Sequence, residues 1–128
     1  LKYGYYVTPT IVSGLSSENI LLKKELFLPF LCIKEYDKFD EAMSLCNKSE
    51  YGLTAGIYSN DKEQINEFIN NIEAGVVYVN RQKSSTTGAL VGKQSFGGWK
   101  SSGISGKGTG GKYYLTQFMR EQSQTIVE

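Results

Sequence analysis

Residues 84–111 have the composition of a ligand-binding loop. They hold nine of the chain's 14 glycines, with Phe96 and Trp99 as their only aromatic residues. Because glycine loses more backbone entropy on ordering than any other residue, this composition predicts a loop rather than a helix or a central strand. Long loops inside compact domains are usually either functional or disordered. The apolar side chains here offer anchors against a core, which favours a functional loop.

The same part of the chain is positively charged. Residues 75–116 contain no Asp or Glu, although the whole chain is nearly neutral, with 14 basic and 13 acidic residues. Its basic residues are Arg81, Lys83, Lys93, Lys100, Lys107 and Lys112. A positive, glycine-rich surface suits an anionic ligand such as a carboxylate, a phosphate or a nucleic acid. The alternative is a solvated loop that its lysines keep soluble.

Several kinds of site are excluded by composition. The chain has no histidine, which rules out within it a Ser-His-Asp triad, a Cys-His pair and any histidine metal site. Its two cysteines, Cys32 and Cys46, lie in apolar segments and predict buried thiols in a reducing compartment, which we expect to be the cytoplasm. No apolar run approaches the ~20 residues of a membrane span, so we expect no membrane partner.

Two matches to phosphate-binding loops are weak. Residues 106–111 fit G-x-G-x-x-G, but a polar glycine-serine stretch precedes them where a strand is needed, and no acidic residue follows at the expected distance. Residues 106–112 fit G-x-x-x-x-G-K, but Tyr113 replaces the Ser or Thr that binds magnesium. Neither match predicts a nucleotide site.

Strand and helix patterns alternate ahead of the loop. Strands are predicted at residues 30–35, 53–58 and 76–79, with helices at 38–48 and 60–72. Short connections between them predict an α/β fold with a parallel βαβαβ sheet, and the loop leaves the carboxyl end of its third strand, where such sheets bind ligands. The helices are predicted to begin at Asp37 and Asn60. The side chains predicted to be buried are Phe39, Ala42, Met43, Cys46, Ile65, Phe68, Ile69 and Ile72.

Short or irregular elements are predicted towards both ends of the chain. Residues 4–12 read as a bent or edge strand interrupted by Pro9. Residues 16–25 predict a short helix or turn capped by Ser16 or Ser17. Residues 112–115 predict a helical turn, and residues 116–127 are too polar for a central strand, so they predict an exposed extended arm.

Five stretches, in chain order, together resemble the carboxyl-terminal part of NAD(P)-dependent aldehyde dehydrogenases. They are residues 4–10 (GYYVTPT), 25–29 (ELFLP), 51–56 (YGLTAG), 75–80 (GVVYVN) and 96–103 (FGGWKSSG). Residues 80–103 are most similar to the branch that oxidises glutamate semialdehyde to glutamate in proline degradation, the 1-pyrroline-5-carboxylate dehydrogenases. The resemblance implies that the βαβαβ portion belongs to the catalytic domain of this fold, with a long glycine-rich loop and an extended carboxyl-terminal arm.

The resemblance also assigns roles to individual residues. Glu25 matches the glutamate that accepts hydrogen bonds from the nicotinamide ribose, and Phe27 matches the aromatic residue near the nicotinamide of NAD or NADP. Gly88 and Ala89 match the turn whose backbone N–H groups hold the substrate carboxylate. Phe96 matches an aromatic wall of the aldehyde site. Without the family, Glu25 would read as a surface charge beside two lysines, and both phenylalanines as packing residues.

Two positions depart from the family pattern, and the catalytic groups are missing. Leu28 stands where the family usually has glycine, and Ser95 where proline is common. The family's nucleophilic cysteine, its water-activating glutamate and its nucleotide-binding domain lie upstream of the matched segment, and neither Cys32 nor Cys46 is placed to replace that nucleophile. The resemblance therefore implies no catalytic residue here and no metal.

We accordingly expect a fragment that is inactive alone and binds the cofactor at most weakly. Residues 1–115 would complete the catalytic domain, and residues 116–128 would be an oligomerisation arm that contacts another subunit or the missing upstream half. One alternative is a non-catalytic interaction module. Another is a nucleic-acid-binding module, but no arginine cluster or aromatic stacking ladder accompanies the lysines, so we expect no nucleic-acid partner.

Overall fold

The computed structural model describes residues 3–82, 88–90 and 92–128. It contains two compact units, Leu1–Leu45 and Cys46–Glu128. The elements are β1 (Thr10–Val12), β2 (Phe30–Cys32), α1 (Phe39–Asn47), β3 (Tyr51–Gly52), β4 (Thr54–Ile57), α2 (Lys62–Asn71), β5 (Val76–Val79) and β6 (Trp99–Lys100), with short 3-10 helices at Ile20–Leu22 and Leu115–Phe118. None of the helices in these described ranges has the length and apolar character to cross a bilayer.

The first unit is built on a parallel pair of strands. β1 and β2 align Thr10 with Phe30 and Val12 with Cys32, and the Thr10 N–H donates to the Pro29 carbonyl at 2.9 Å. The 3-10 helix between them is capped by Asn19, whose side chain accepts from the Leu21 N–H at 3.0 Å. The predicted caps, Ser16 and Ser17, are therefore wrong. The Asn19 N–H donates to the Ser16 carbonyl, so Ser16 only begins the preceding turn.

The second unit contains the parallel pair that the sequence predicts most clearly. β4 and β5 align Thr54 with Val76 and Ile57 with Val79, and α2 connects them. The α/β class and these parallel strands are confirmed. The expected single three-stranded sheet is not what the described residues form, because β1 and β2 form one two-stranded sheet and β4 and β5 form another. Hydrophobic periodicity identifies a segment as a strand, but it does not show which other strand it pairs with.

One strand lies inside the segment predicted as a loop. β6 pairs antiparallel with β3, placing Gly52 opposite Trp99 and Tyr51 opposite Lys100. The Ser101 N–H extends this contact by donating to the Glu50 carbonyl at 3.0 Å. A two-residue strand surrounded by glycines has no periodic signal, so composition alone could not reveal it.

The buried core is small. Within the described ranges, the buried apolar residues are Met43, Phe68, Ile72, Ala74, Val76 and Ala89. Met43 of α1, Phe68 of α2 and Ile72 directly after α2 are buried, as predicted. Cys46 and Ile69 are exposed, against prediction. Only the centre of each predicted apolar helix face is therefore buried within the described residues.

The carboxyl-terminal segment begins with a short helix rather than an extended arm. Residues 112–114 form turns, as predicted, and lead into this helix at Leu115–Phe118. The Thr116 hydroxyl donates to the Tyr113 carbonyl at 2.7 Å. The rings of Tyr114 and Phe118 meet edge to face at 5.5 Å. Residues 119–128 form no helix or strand, and their side chains are exposed.

Helix α2 begins one residue later than the sequence suggested. The Asp61 carboxylate, not the Asn60 side chain, accepts from the N–H groups of Glu63 at 2.8 Å and Gln64 at 3.4 Å. The Ser59 hydroxyl accepts from the Asp61 N–H at 3.0 Å, which holds Asp61 in the extended conformation of a cap. The predicted cap at Asn60 is therefore wrong.

We predict that Asp61→Ala lowers the free energy of unfolding by about 1 kcal/mol, because it removes the acceptor for two helix N–H groups. Urea unfolding followed by circular dichroism measures this change. Asn60→Ala is the matched control and should change stability by less than about 0.5 kcal/mol. Equal losses in the two variants would contradict the assignment of the cap.

Candidate functional site

An open groove of about 720 Å³ lies in the first unit. Its walls come from the first 3-10 helix, from β2 and from the segment between them, and they include Glu25, Phe27, Leu28 and Cys32. The groove combines apolar walls with one lysine and one carboxylate. Both residues that the sequence assigned to cofactor contact therefore line the same surface.

The Glu25 carboxylate is exposed on this groove. Lys23 forms its ion pair with Glu18, at 2.5 Å, and not with Glu25. Within the described residues, Glu25 has no ion pair or hydrogen bond. This removes the simplest structural reason for a glutamate beside lysines, and it leaves both carboxylate oxygens able to accept hydrogen bonds from a ligand.

Phe27 combines an unfavourable backbone with an exposed ring. Its φ is +52°, a left-handed conformation that is unusual for a bulky residue, and it is 93% exposed. The alternative interpretation of Phe27 as a packing residue, which the sequence gives without the family resemblance, is therefore wrong. Beside it, Leu28 is also exposed and lines the groove at the position where the family resemblance led us to expect glycine. The ring therefore gains nothing from packing within the described chain.

In the second unit, Gly88 and Ala89 form a turn against β5. Gly88 has a φ of +75°, and a methyl group built on it would lie 2.9 Å from Tyr78 Cδ1. Ala89 is only 3% exposed. The Gln94 side chain accepts from the Leu90 N–H at 3.0 Å, which closes the turn on its other side. Thr87, which precedes this turn in the family match, lies outside the described residues.

Phe96 begins a segment held by contacts between backbones. The Phe96 N–H donates to the Thr109 carbonyl at 3.0 Å, and the Phe96 side chain is half-buried. A methyl group on Gly75 would overlap the Gly97 carbonyl, and one on Gly97 would lie 2.5 Å from Gly108 Cα. Gly108 is thus buried in this contact. Of the glycines that resembled a phosphate loop, Gly108 packs against residues 96–97, whereas Gly110 and Gly111 approach residues 92–95.

Lys100 is a structural residue rather than part of an open basic surface. Its ammonium group donates to the carbonyls of Asn47 at 2.6 Å and Ser49 at 3.1 Å. It also forms an ion pair with Glu73 at 2.7 Å. The expectation that Lys100 contributes to an anion-binding surface is therefore wrong, because all three contacts lie within the chain.

The substrate-side residues share β5 as their support. Val76 and Tyr78, on one face of β5, contact Gly88, while Gly75 at the start of the strand contacts Gly97. The end of β5 is fixed by a residue that sequence reasoning missed. Asn80, with a φ of +51°, accepts from the Ser59 N–H and donates to the Ser59 carbonyl, both at 2.9 Å. An asparagine directly after a strand is the available signal, since asparagine tolerates this conformation.

Neither cysteine has the surroundings of a nucleophile. Cys32 is half-buried and its thiol donates to the Leu21 carbonyl at 3.5 Å. Cys46 is exposed, yet packing around its sulfur raises the pKa of the thiol through desolvation. The described residues contain no cluster of three or more cysteine, aspartate or glutamate side chains able to hold a metal ion.

The sequence profile of the aldehyde dehydrogenase family matches residues 1–124. This chain belongs to that family. It is 37% identical to the 1-pyrroline-5-carboxylate dehydrogenase of Staphylococcus haemolyticus over 119 residues, covering 93% of this chain and 22% of the relative. The Staphylococcus aureus enzymes of the same name are 38% identical with the same coverage.

Solved structures agree with this assignment. The chain matches 1-pyrroline-5-carboxylate dehydrogenase from Thermus with bound NAD at a TM-score of 0.77 and 36% identity, covering 90% of this chain and 22% of that one. It matches lactaldehyde dehydrogenase from Escherichia coli at a TM-score of 0.79 and 31% identity, covering 93% and 24%. The chain thus spans about a fifth of the length of its relatives.

We predict that Lys100→Met lowers the free energy of unfolding by about 2 kcal/mol, because two carbonyls lose a charged donor. The half-exposed partner Glu73 adds little to this loss. Denaturant unfolding followed by the fluorescence of Trp99, the single tryptophan, measures it. Lys93→Met, at an exposed lysine in the same loop, is the control. An equal effect of both substitutions would contradict the structural role.

We predict that Cys46 alkylates with a pH midpoint above that of an ordinary thiol, because a raised pKa reduces the thiolate fraction at neutral pH. Iodoacetamide rates are measured across pH on the Cys32→Ala variant. The same variant in urea supplies the unperturbed midpoint, so reduced access alone does not mimic the effect. A folded midpoint at or below the urea value would contradict the prediction.

Proposed function

We propose that this chain is the carboxyl-terminal part of an NAD(P)-dependent aldehyde dehydrogenase that oxidises glutamate semialdehyde to glutamate in proline degradation. The observation that carries the proposal is the 37–38% identity to 1-pyrroline-5-carboxylate dehydrogenases across 93% of the chain. The geometry of residues 25–27 and of Gly88, Ala89 and Phe96 supports it.

The chemistry of the groove residues fits the nicotinamide end of a dinucleotide. The unpaired carboxylate of Glu25 has two oxygens, which suits the two hydroxyl groups of a ribose. The exposed ring of Phe27 offers an apolar face to a planar heterocycle. NAD or NADP, when bound, would accept the hydride that leaves the aldehyde carbon. Within this chain, Glu25 would orient the ribose, and the Phe27 ring would limit the positions that the nicotinamide ring can take.

The second unit would bind the substrate. Backbone N–H groups of Gly88 and Ala89 would hold the carboxylate of glutamate semialdehyde, since a residue without a side chain lets an anion approach the backbone closely. The half-buried ring of Phe96 would form one wall of the aldehyde site. Lys100 would act only indirectly, by holding the strand that follows Phe96.

The reacting groups would come from outside this chain. We place the nucleophilic cysteine, the water-activating glutamate and most of the nucleotide-binding surface in the upstream part of the assembled enzyme. The small buried core and the many exposed apolar side chains of the chain support this, because such surface is usually covered by a partner. We therefore expect the chain alone to be inactive and to bind NAD or NADP weakly.

Assembly would use the carboxyl-terminal residues. Phe118, Ile126 and Val127 are exposed, and residues 120–128, which form no helix or strand, would offer backbone groups to a neighbouring sheet. We propose a homo-oligomer, or a complex with the upstream part, in which residues 116–128 make this contact. The unpaired thiols of Cys32 and Cys46 suit the reducing cytoplasm.

We predict that a chimera in which this chain replaces the matching segment of the Staphylococcus haemolyticus relative oxidises glutamate semialdehyde with NAD. Glu25→Gln should slow hydride transfer by about tenfold or more with little loss of stability, because a charge-assisted acceptor becomes neutral. NADH absorbance in single-turnover and steady-state assays measures this. Glu35→Gln, at another exposed carboxylate of the first unit, is the matched control.

The same assay separates the proposal from a non-catalytic interaction module. A chimera that folds and assembles but does not oxidise the aldehyde would favour the interaction module. Turnover by the 128-residue chain alone would contradict the placement of the nucleophile upstream. Unchanged kinetics in Glu25→Gln would refute the cofactor role of that residue alone.

A further inference from the structure

We propose that Tyr78 is a positioning residue for substrate selection, because its ring forms the platform on which the Gly88-Ala89 turn rests. The inference rests on the proposed function, in which this turn binds the substrate carboxylate. Tyr78 touches no reacting atom in this scheme. Its effect would pass through the backbone that it supports.

The first supporting contact is with Gly56. Gly56 and Tyr78 are register partners on β4 and β5. A methyl group built on Gly56 would overlap the Tyr78 ring at Cε2, Cζ and Cδ2. The ring therefore lies across the neighbouring strand, in space that any side chain at position 56 would occupy. Gly56 is thus the residue that allows Tyr78 to lie flat.

The second contact is between the opposite edge of the ring and Gly88. A methyl group on Gly88 would lie 2.9 Å from Tyr78 Cδ1, 3.2 Å from Tyr78 Cε1 and 3.3 Å from Val76 Cγ1. Two constraints therefore favour glycine at position 88. Its φ of +75° is a left-handed conformation, and the side chains of β5 leave no room for a Cβ atom. The carbon atoms of the ring make these contacts, so a phenylalanine would preserve them.

A third residue fixes the platform from the side. The Tyr58 ring meets the Tyr78 ring edge to face, at 6.4 Å and an interplanar angle of 75°. The Tyr58 hydroxyl donates to the Arg81 carbonyl, just beyond β5. Tyr78 is therefore contacted on three sides, by Gly56, Gly88 and Tyr58. Its position is set by its own strand, by Gly56 on β4 and by Tyr58, and the loop residue Gly88 rests against it.

This arrangement has a specific consequence for selectivity. A hydrogen bond from a backbone N–H to a carboxylate depends on the position of the backbone, and a shift of the turn weakens it. A simple alkyl aldehyde has no carboxylate and does not use the turn. Disturbing the platform should therefore affect glutamate semialdehyde far more than an alkyl aldehyde of similar length.

The first measurement uses the 128-residue chain and needs no activity. We expect Tyr78→Leu and Gly56→Ala each to speed amide hydrogen exchange at residues 88–90 by about tenfold or more, since both remove the same support. Tyr78→Phe should exchange like the parent chain. Val77→Ala is the control. Val77 lies on the opposite face of β5, so its substitution weakens the strand without removing a contact of the Tyr78 ring.

The second measurement uses the chimera described above. Tyr78→Leu and Gly56→Ala should raise KM for glutamate semialdehyde by about tenfold or more relative to KM for an alkyl aldehyde, with kcat for the alkyl aldehyde retained. Tyr78→Phe should keep the parent ratio. A general loss of folding would reduce both activities together, and Val77→Ala shows the size of such an effect.

The outcomes separate this inference from the proposed function. Unchanged exchange at residues 88–90 in both variants would overturn the platform, whatever the enzyme does. Faster exchange with an unchanged KM ratio would overturn its role in selection. If the parent chimera shows no preference for glutamate semialdehyde, the proposed substrate is wrong, and so is the role of Tyr78 in selecting it. The hydrogen-exchange measurement would still test the contact between Tyr78 and the turn.

Discussion

The structure of the second unit depends on places where backbones touch without side chains between them. The Gly97 carbonyl occupies the position that a side chain on Gly75 would need, and Gly108 Cα closely approaches Gly97 from another direction. Only glycine permits such approaches. The glycine-rich segment is therefore packed rather than free, because its lack of side chains lets residues 97–98 dock against Gly75 before β5 and lets Gly108 dock on residues 96–97. This docking gives Phe96 a defined position next to a strand.

Two charged or polar contacts extend this backbone packing into a framework. Lys100 donates to carbonyls near the end of α1 and pairs with Glu73 after α2. Asn80 joins the ends of β4 and β5 through Ser59. Helix ends carry unpaired carbonyls, so one lysine satisfies groups that would otherwise need water. At Lys100, the positive charge that resembled part of an anion site in the sequence instead contributes to the fold.

The elements with strong periodicity could be predicted from the sequence, and those set by tertiary contacts could not. β5 has the predicted bounds, and β4 and α2 lie within theirs. The observed helix caps differ from the predicted ones because neighbouring polar residues can each serve as the N-cap. For α2, the hydrogen bond from the Asp61 N–H to the Ser59 hydroxyl favours Asp61. β6, the pairing of β1 with β2 and the contacts of Lys100 depend on residues up to about fifty positions apart, beyond the reach of any local pattern. The motif residues were found only through family resemblance, since neither Glu25 nor Gly88 has a local signature.

Phe27 shows where stability and function separate in this chain. A left-handed conformation at a bulky residue costs about 1–3 kcal/mol, and burial of the ring could offset that cost. Here the ring is 93% exposed, so the described residues provide no such compensation. Glu25, two positions earlier, likewise gains no ion pair within the described chain. Residues 25–27 thus combine a strained backbone, an exposed aromatic ring and an unpaired carboxylate, and they contribute little to the stability of the described chain. Contacts with a ligand or with the rest of an assembled enzyme would provide the compensation that this chain lacks.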